Sequence, residues 1–261
     1  MTLDYKKIEE ALESNDQVVL FLDYDGTLAD FTKHPDIIEP NSEVIELVEA
    51  LIKCGNITPA IISGRRLTHI QKLLPLENIL LAGTYGLEIQ LPGDKIFHPI
   101  DYSKIRPDLE KLKPQWQSLI DSKSSFFLED KGWTLALHAR YAEEKIAGDV
   151  LPAAEQLALK IVAPALFQVN AGHKFLEVSP QQANKGNCIK YLMTMIPIEG
   201  KTLIYMGDDD KDEEAFAVVQ SQGGFAIRVC SNVINNPIED WRLEDPKAAR
   251  GWLGNLVNIF C

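Results

Sequence analysis

The feature that most constrains the fold is an apolar run that ends in two closely spaced aspartates. Residues 18–22 have the length and the β-branched content of a buried strand. Asp23 and Asp25 follow where that strand should end, and Gly26 permits a sharp turn directly after them. Two carboxylates this close repel each other unless a cation or a proton lies between them. At the end of a central strand the pattern indicates a ligand crevice, and the simpler alternative is a strand followed by an Asx turn.

The apolar pattern of the first hundred residues is typical of an α/β protein with a parallel sheet. The predicted elements are a helix at 4–14, a strand at 18–23, a helix at 42–53, a strand at 57–62, a helix at 67–74, a strand at 79–82 and a hairpin-like segment at 87–91. A loop with Pro35 and Pro40 leads into the second helix. This alternation predicts a Rossmann-like core.

The pattern changes near residue 100 and returns near residue 180. Two similar helix–strand–strand groups lie between these points, with helices at 103–121 and 143–161 and strand pairs at 124–130 with 132–140 and at 166–171 with 173–178. The second pair is expected to turn at Ala171 and Gly172. A helix from Asn184, a strand at 202–206, a helix after Asp212 and a last strand at 225–229 then resume the first pattern. We therefore predict a core of residues 1–102 and 179–261 with an inserted α/β cap domain at 103–178.

Composition excludes several classes of function. The formal net charge of −12 argues against nucleic acid or an anionic membrane as a partner. Four cysteines without a C-x-x-C pair suggest neither a zinc site nor a disulfide framework. The first residues do not resemble a signal peptide, and no apolar run approaches the length of a membrane span. We expect a cytoplasmic protein.

A second acidic group follows another predicted strand. Residues 208–214 contain six carboxylates in seven positions. Acidic side chains suit the amino terminus of a helix, but that preference accounts for one or two of them. A hard cation such as Mg²⁺ would relieve the repulsion among the rest. Together with Asp23 and Asp25, the group favours a metal site at one edge of the sheet.

Three further polar residues have a structural and a functional interpretation. Ser63 precedes a helix, so it is either a plain N-cap or a hydroxyl aimed at a phosphate oxygen. Arg65 lies either on a solvated helix face or beside the same phosphate as a bidentate partner. Lys185 is a surface lysine unless its helix brings it to the aspartates.

Together these motifs resemble the haloacid dehalogenase (HAD) phosphatase superfamily. The matching residues are D-x-D-G-T at 23–27, Ser63, Lys185 and G-D-D-x-x-D at 207–212, in the order that the superfamily has. The segments LDYDGTL, ISGR, AGTYGLEI, EDKGWTLALHAR, KFLEVSPQQANKG and GDDDKDEEAF are similar to the trehalose-6-phosphate phosphatase family. Many members have histidine at the position of Tyr85, threonine at Lys211 and arginine at Ser179. These departures concern the sugar rather than the phosphoryl chemistry.

The resemblance implies a role for each motif residue. Asp23 would be the nucleophile that becomes an aspartyl phosphate, and Asp25 would be the general acid and base. Ser63 and Lys185 would hold the phosphoryl oxygens, with Thr27, Gly64 and Arg65 shaping or contacting the phosphate site. Mg²⁺ would be bound by the Asp23 carboxylate, the Asp25 carbonyl and Asp208, with Asp209 or Asp212 in support.

The inserted domain carries a second polar group. Strand alternation places Thr134, Ala136, His138 and Arg140 on one face, opposite Trp133, Leu135 and Leu137. This is either a solvated sheet face or a surface that binds sugar hydroxyls. The further candidates for sugar binding are Lys131 and Lys174 and the carboxylates of Glu88, Glu129 and Glu177.

The resemblance and the residues together predict a monomeric Mg²⁺-dependent phosphatase for a small sugar phosphate, with trehalose 6-phosphate as its substrate. An alternative substrate is another glycosyl phosphate, such as a glucosylglycerol phosphate or a glycosyl-phosphoglycerate. The alternatives of another class are a receiver-like domain and a non-catalytic sugar-phosphate sensor. A receiver would lack the D-x-D and the long insert, and a dead sensor would be expected to lack Asp23 or Asp25.

Overall fold

A computed structural model of the protein describes residues 5–30, 39–121, 123–231 and 238–261. The chain forms two compact units, one from Met1–Pro99 with Asn184–Cys261 and one from Ile100–Ala183. The first residue of the predicted helix 4–14 and Pro35 of the predicted loop lie outside the described residues.

The strands in chain order are β1 (Val18–Asp23), β2 (Ile57–Ile62), β3 (Leu80–Gly83), β4 (Glu88–Leu91), β5 (Lys95–Phe97), β6 (Phe127–Asp130), β7 (Leu135–His138), β8 (Phe167–Gly172), β9 (Phe175–Pro180), β10 (Thr202–Gly207), β11 (Phe225–Val229) and β12 (Trp241–Leu243). The helices are α1 (Tyr5–Ser14), α2 (Ser42–Lys53), α3 (Leu67–Leu73), α4 (Tyr102–Ile120), α5 (Glu144–Ile161), α6 (Lys185–Leu192), α7 (Glu213–Ser221) and α8 (Pro246–Phe260).

The first unit contains a mixed sheet in the order β12-β11-β10-β1-β2-β3-β4-β5. From β12 to β3 neighbouring strands are parallel, and β4 and β5 add an antiparallel hairpin at the edge. β1 and β10 are buried along their whole length. Their continuous apolar sequence is explained by burial on both faces. The predicted parallel α/β core is confirmed.

Helices cover both faces of this sheet. Alternate residues of β1, such as Leu20 and Leu22, pack with α1, α2, α3 and α8, whereas Val19 and Phe21 pack with α6 and α7. The period-two alternation of a strand therefore divides one apolar run between two cores. Asn41 caps α2 by accepting hydrogen bonds from the amides of Glu43 (3.0 Å) and Val44 (3.4 Å).

The second unit is an antiparallel sheet in the order β6-β7-β9-β8, with the helices α4 and α5. The buried Trp116 of α4 donates its indole N–H to the carbonyl of Ala154 in α5 at 2.9 Å, which joins the two helices. The turn between β8 and β9 lies at His173 and Lys174 rather than at Ala171 and Gly172. Lys174 occupies the left-handed region with φ 54°, a conformation that is rare for lysine and could not be predicted from its residue type.

Two expectations about the end of the chain are wrong. Residues 225–229 were expected to be the last strand, but β12 and α8 follow. Cys54 and Cys261 form a disulfide with Cα atoms 5.5 Å apart. These cysteines are 207 residues apart in sequence, and each directly follows the last residue of a helix, Cys54 after α2 and Cys261 after α8. Only the packing of those helices brings the two cysteines together. Within the described part of the chain, no helix is long and apolar enough to cross a membrane.

Candidate active site

The motif residues of the first unit meet at one edge of its sheet. Asp23 is the last residue of β1, Ser63 follows β2 directly, and Asp208 follows β10. Because β10, β1 and β2 are adjacent and parallel, their carboxyl ends lie side by side. Lys185 is the first residue of α6, whose amino terminus Asn184 caps by accepting from the amide of Asn187 at 2.6 Å.

Asp23 is a buried carboxylate between a cation and a hydroxyl. Its Oδ1 lies 2.7 Å from Lys185 Nζ, and its Oδ2 accepts a hydrogen bond from Thr27 Oγ1 at 3.3 Å. Burial raises the pKa of Asp23 well above its ordinary value, Lys185 opposes that rise, and Asp212 adds to it. The anionic form of Asp23 is therefore held in an environment that disfavours it.

Lys185 lies between two carboxylates, and only 4% of the residue is exposed. Its Nζ is 2.6 Å from Asp212 Oδ1 and 2.7 Å from Asp23 Oδ1. Burial lowers the pKa of Lys185, but the two aspartates outweigh that effect and raise it above its ordinary value. The interpretation of Lys185 as a surface residue is wrong, and the structure brings the ammonium to both acidic motifs.

Asp212 is fully buried and is surrounded by donors. Its Oδ2 accepts from the backbone amides of Asp208 (3.0 Å) and Asp209 (3.1 Å), and its Oδ1 accepts from Lys185 and from the hydroxyl of Tyr205. Burial raises the pKa of Asp212, but Lys185 and these hydrogen bonds bring it below its ordinary value. The sequence alone did not identify Tyr205 as a residue of the site, because an aromatic residue in an apolar strand is usually part of the hydrophobic core.

Three carboxylates form a group that suits a metal ion. Oxygen atoms of Asp23, Asp208 and Asp212 lie within 4.8 Å of one another. Burial, then Asp209 and Asp212, raises the pKa of Asp208 to about 7. Asp209 instead caps the short turn that follows it, accepting a hydrogen bond from the amide of Lys211 at 2.9 Å.

Asp25 and Arg65 form a bidentate ion pair. Arg65 Nε and Nη2 each donate to a different oxygen of Asp25 at 2.7 Å. Ser63 is buried, and its Oγ accepts from the amide of Arg65 at 3.1 Å. The N-cap of α3 is Arg66, so Ser63 is not the plain helix cap that the simpler interpretation expected.

A strained turn after β3 holds the loop that carries Ser63. Thr84 and Tyr85 have φ values of 48° and 55°, which non-glycine residues rarely adopt. Their amides donate to the carbonyls of Arg65 (2.7 Å) and Ser63 (2.9 Å). A Cβ on Gly64 would lie 2.7 Å from the ring of Tyr85, so any larger residue at position 64 would require that ring to shift.

Two of the three positions that depart from the family pattern contact each other here. Lys211 Nζ donates to the hydroxyl of Tyr85 at 2.9 Å and lies 5.2 Å from the centre of its ring. Glu88, which was expected to bind sugar, accepts hydrogen bonds from Thr84 Oγ1 (2.8 Å) and the amide of Leu67 (3.3 Å). Through these hydrogen bonds, Glu88 stabilises the same strained turn.

In the second unit, five of the predicted polar residues form one group. Glu177 accepts from Lys131 Nζ and from Thr134 Oγ1, both at 3.2 Å, and Glu129 lies 3.0 Å from Nε2 of His138. Lys131 is also 3.9 Å from Glu129, which links the two pairs.

Two other candidates of the second unit lie elsewhere. Lys174 donates to the carbonyl of Ala142 at 2.7 Å and pairs with Glu144 at 2.8 Å. Arg140 is exposed in a turn beyond β7, because that strand ends at His138 rather than continuing to residue 140.

Comparison with known proteins identifies the family of the chain. The family model for trehalose-phosphatase matches residues 21–247. The chain is 29% identical over 248 residues to a trehalose-6-phosphate phosphatase of Escherichia coli (strain K12), covering 94% of this chain and 89% of the relative. It is 30% identical over 257 residues to the probable trehalose-phosphate phosphatase C of Arabidopsis thaliana, covering 92% and 77%.

A solved structure shows the same fold. The C-terminal domain of a C. albicans trehalose-6-phosphate phosphatase superimposes with a TM-score of 0.80 at 20% identity, covering 99% of this chain and 98% of that one. This confirms the fold class, an α/β HAD-type core with a parallel-dominated sheet. The chain belongs to the trehalose-phosphatase family, a family of phosphoric monoester hydrolases.

Proposed function

We propose that this chain is a Mg²⁺-dependent phosphatase that hydrolyses trehalose 6-phosphate to trehalose and phosphate through an aspartyl phosphate on Asp23. The observation that carries the proposal is the buried contact between the Asp23 carboxylate and the Lys185 ammonium at the carboxyl edge of the sheet, beside the acidic loop. That arrangement, in a member of this family, supplies a nucleophile and a fixed cation for the phosphoryl group. The choice of substrate follows the names of the relatives.

The acidic residues fit a hard divalent cation. The oxygens of Asp23, Asp208 and Asp212 converge, and carboxylate oxygen is the donor that Mg²⁺ prefers. Burial raises the pKa of Asp23, so a nearby cation would stabilise its anionic form. Asp23, Asp208 and the carbonyl of Asp25 would bind the ion directly. Asp212 would support it through the loop, since its two oxygens already accept four hydrogen bonds. Mg²⁺ bound there supplies the charge that masks repulsion between the nucleophile and the phosphate.

The chemistry divides into two displacements. An oxygen of Asp23 attacks phosphorus, the bond from phosphorus to the sugar oxygen breaks, and that oxygen takes a proton from Asp25. Water then attacks the phosphorus of the aspartyl phosphate, gives its proton to Asp25 and restores the Asp23 carboxylate. Lys185 and the Ser63 hydroxyl hold the phosphoryl oxygens. Both oxygens of Asp25 accept hydrogen bonds from Arg65. This pair must therefore separate when substrate binds, and Asp25 must take up a proton from solvent, before Asp25 can protonate the sugar oxygen.

The second unit would recognise the sugar. Glu129, Lys131, His138 and Glu177 are a compact group of donors and acceptors of the kind that hydrogen-bonds hydroxyl groups. Binding energy from the sugar can then be used to orient the phosphate for attack. This assignment makes sugar recognition separable from the phosphoryl chemistry in the first unit.

A phosphate-release assay over a panel of sugar phosphates tests the function. The panel contains trehalose 6-phosphate, a glucosylglycerol phosphate, a glycosyl-phosphoglycerate and glucose 6-phosphate. We expect kcat/KM to be highest for trehalose 6-phosphate. Asp23→Asn should abolish release while retaining the fold, and Asp149→Asn on the exposed face of α5 is the matched control. Preference for another glycosyl phosphate would replace the substrate, and no turnover of any member would overturn the function.

The metal and the intermediate have separate tests. A chelator should abolish activity, Mg²⁺ should restore it, and Ca²⁺ should restore it poorly because its looser coordination disturbs in-line attack. Acid quenching during turnover of phosphate-labelled substrate should leave label on the wild-type protein and none on Asp23→Asn. Full activity in excess chelator would refute metal dependence. Unlabelled wild-type protein in the quench would refute the covalent intermediate.

A further inference from the structure

Tyr205 is a buried polar residue to which the phosphatase motifs give no role. It lies in β10, two residues before Gly207, and its relative exposure is 0%. Its ring packs edge-on against Phe216 with ring centres 5.5 Å apart. A phenylalanine would satisfy that packing without bringing a hydroxyl into the core, where an unpaired hydroxyl is costly. The packing of the ring therefore does not account for the hydroxyl.

The hydroxyl contacts the carboxylate at the centre of the site. Tyr205 Oη lies 2.5 Å from Asp212 Oδ1, and Lys185 Nζ lies 2.6 Å from the same oxygen. Two backbone amides, those of Asp208 and Asp209, occupy Oδ2. A carboxylate offers about four acceptor sites, so Tyr205 completes the set and fixes the rotation of the Asp212 side chain.

Of the two carboxylates that pair with Lys185, Asp212 is the one that takes no part in the covalent chemistry. Lys185 pairs with both Asp23 and Asp212. When an oxygen of Asp23 bonds to phosphorus, Asp23 gives up most of its negative charge and its hold on the ammonium weakens. Asp212 then has to hold Lys185 against the phosphoryl oxygens, and its own rotation decides where the ammonium lies.

We propose that Tyr205 is a positioning residue whose hydroxyl fixes Asp212 and, through it, the Lys185 ammonium that stabilises the transferring phosphoryl group. The proposal rests on the phosphatase chemistry assigned above to Asp23 and Lys185, and does not depend on which sugar is the substrate. Tyr205 touches neither substrate nor metal ion in this scheme, so its effect reaches the reaction only through Asp212.

Tyr205→Phe removes the hydroxyl and keeps the ring against Phe216. We expect kcat to fall on the order of tenfold to a hundredfold, the effect of one lost hydrogen bond to a charged group, with KM nearly unchanged. The loss should be equal for trehalose 6-phosphate and p-nitrophenyl phosphate, because both need the same phosphoryl contacts. Tyr191→Phe in α6 is the matched control, since that ring stacks on Phe97 and lies outside the site, and its kcat should equal that of the wild type.

A double-mutant cycle with Lys185→Met separates positioning from packing. If Tyr205 acts through Lys185, adding Tyr205→Phe to Lys185→Met should lower kcat for p-nitrophenyl phosphate by less than about twofold further. Additive losses would overturn the proposal. So would an unchanged kcat in a folded Tyr205→Phe protein, or a loss that disappears once activity is expressed per folded molecule.

A second measurement covers a variant that does not fold. A fluorinated tyrosine at position 205 changes the size of the ring little and makes the hydroxyl a stronger hydrogen-bond donor, so kcat should change while the melting temperature changes only slightly. An unchanged kcat would overturn the proposal. Wild-type protein that cleaves p-nitrophenyl phosphate but no sugar phosphate would refute the substrate alone, and the p-nitrophenyl phosphate measurements would still decide the role of Tyr205.

Discussion

Lys185 offers the sharpest test of how the site is held together. Its ammonium is buried between Asp23 and Asp212, at 2.7 and 2.6 Å. Lys185→Met keeps most of the side-chain length and removes the charge, which leaves two buried carboxylates without their cation. Breaking a buried ion pair by removing one partner costs about 3–5 kcal/mol. For a chain of this size each kcal/mol lowers the melting temperature by about 2–4 °C, so we expect a drop of about 6–20 °C.

The assay is thermal unfolding in the presence of a chelator, so that no added cation neutralises Asp23. Lys190→Met, an exposed lysine of the same helix, is the control and should change stability by less than about 0.5 kcal/mol. Asp23→Asn alone should leave the melting temperature unchanged or raise it, because burial disfavours the anionic form of Asp23.

A double variant shows which of the two carboxylates depends more on Lys185. When Lys185 is removed, Asp212 keeps three donors, the hydroxyl of Tyr205 and two backbone amides, whereas Asp23 keeps the hydroxyl of Thr27. Asp23→Asn combined with Lys185→Met should therefore recover more than half of the lost stability. If Lys185→Met has the melting temperature of the wild type, or if adding Asp23→Asn to Lys185→Met restores none of the lost stability, the ammonium does not compensate these carboxylates.

Three further changes test other parts of the structure. Reduction of the Cys54–Cys261 disulfide should lower the melting temperature, because a bridge closing a loop this long constrains the unfolded chain by up to about 5 kcal/mol; equal melting with and without reductant would contradict this, and Cys261→Ser should not respond to reductant. The hydrogen bonds of Arg106 hold the pKa of Asp130 well below its usual range. The pair therefore stabilises the fold at any pH above about 4, the pKa of an aspartate in the unfolded chain, and this stabilisation is lost as the pH falls below that value. Asp130→Asn should be less stable than the wild type at neutral pH, and its free energy of unfolding should fall less as the pH is lowered. Parallel acid-unfolding curves for Asp130→Asn and the wild type would refute the assignment. Glu177→Gln should lower kcat/KM for trehalose 6-phosphate on the order of tenfold to a thousandfold and leave p-nitrophenyl phosphate nearly unaffected; equal losses would place Glu177 in folding or phosphoryl chemistry.

The central strands could be predicted because their sequence has one interpretation. Residues 18–23 are apolar, β-branched and too short for a helix, and the strand occupies that range. The edge shared by Asp23, Ser63 and Asp208 also follows from sequence, since parallel strands place their carboxyl ends together. The position of Lys185 depends on the direction of α6, whose amino terminus lies at that edge. The residue pattern does not predict this direction, and only the family resemblance placed Lys185 in the site.

The features that were missed depend on contacts between distant residues. Nothing near Cys54 announces Cys261, because the disulfide forms only where α2 and α8 pack together. The ion pair between Arg65 and Asp25 was also missed, because it joins residues 40 positions apart in the sequence. Tyr205 follows the apolar pattern of β10, and only the position of Asp212 reveals that its hydroxyl has a partner.

The charges of the site explain why cation and substrate should depend on each other. Asp23, Asp208 and Asp212 against Lys185 give three negative charges and one positive charge when all are ionised, a local charge of −2, in a chain whose net charge is −12. The Asp25–Arg65 pair adds no net charge. A phosphate monoester dianion would enter this field against repulsion, and one divalent cation would cancel the local charge. Substrate affinity should therefore rise steeply with the concentration of the cation, and by linkage the affinity for the cation should rise equally with substrate.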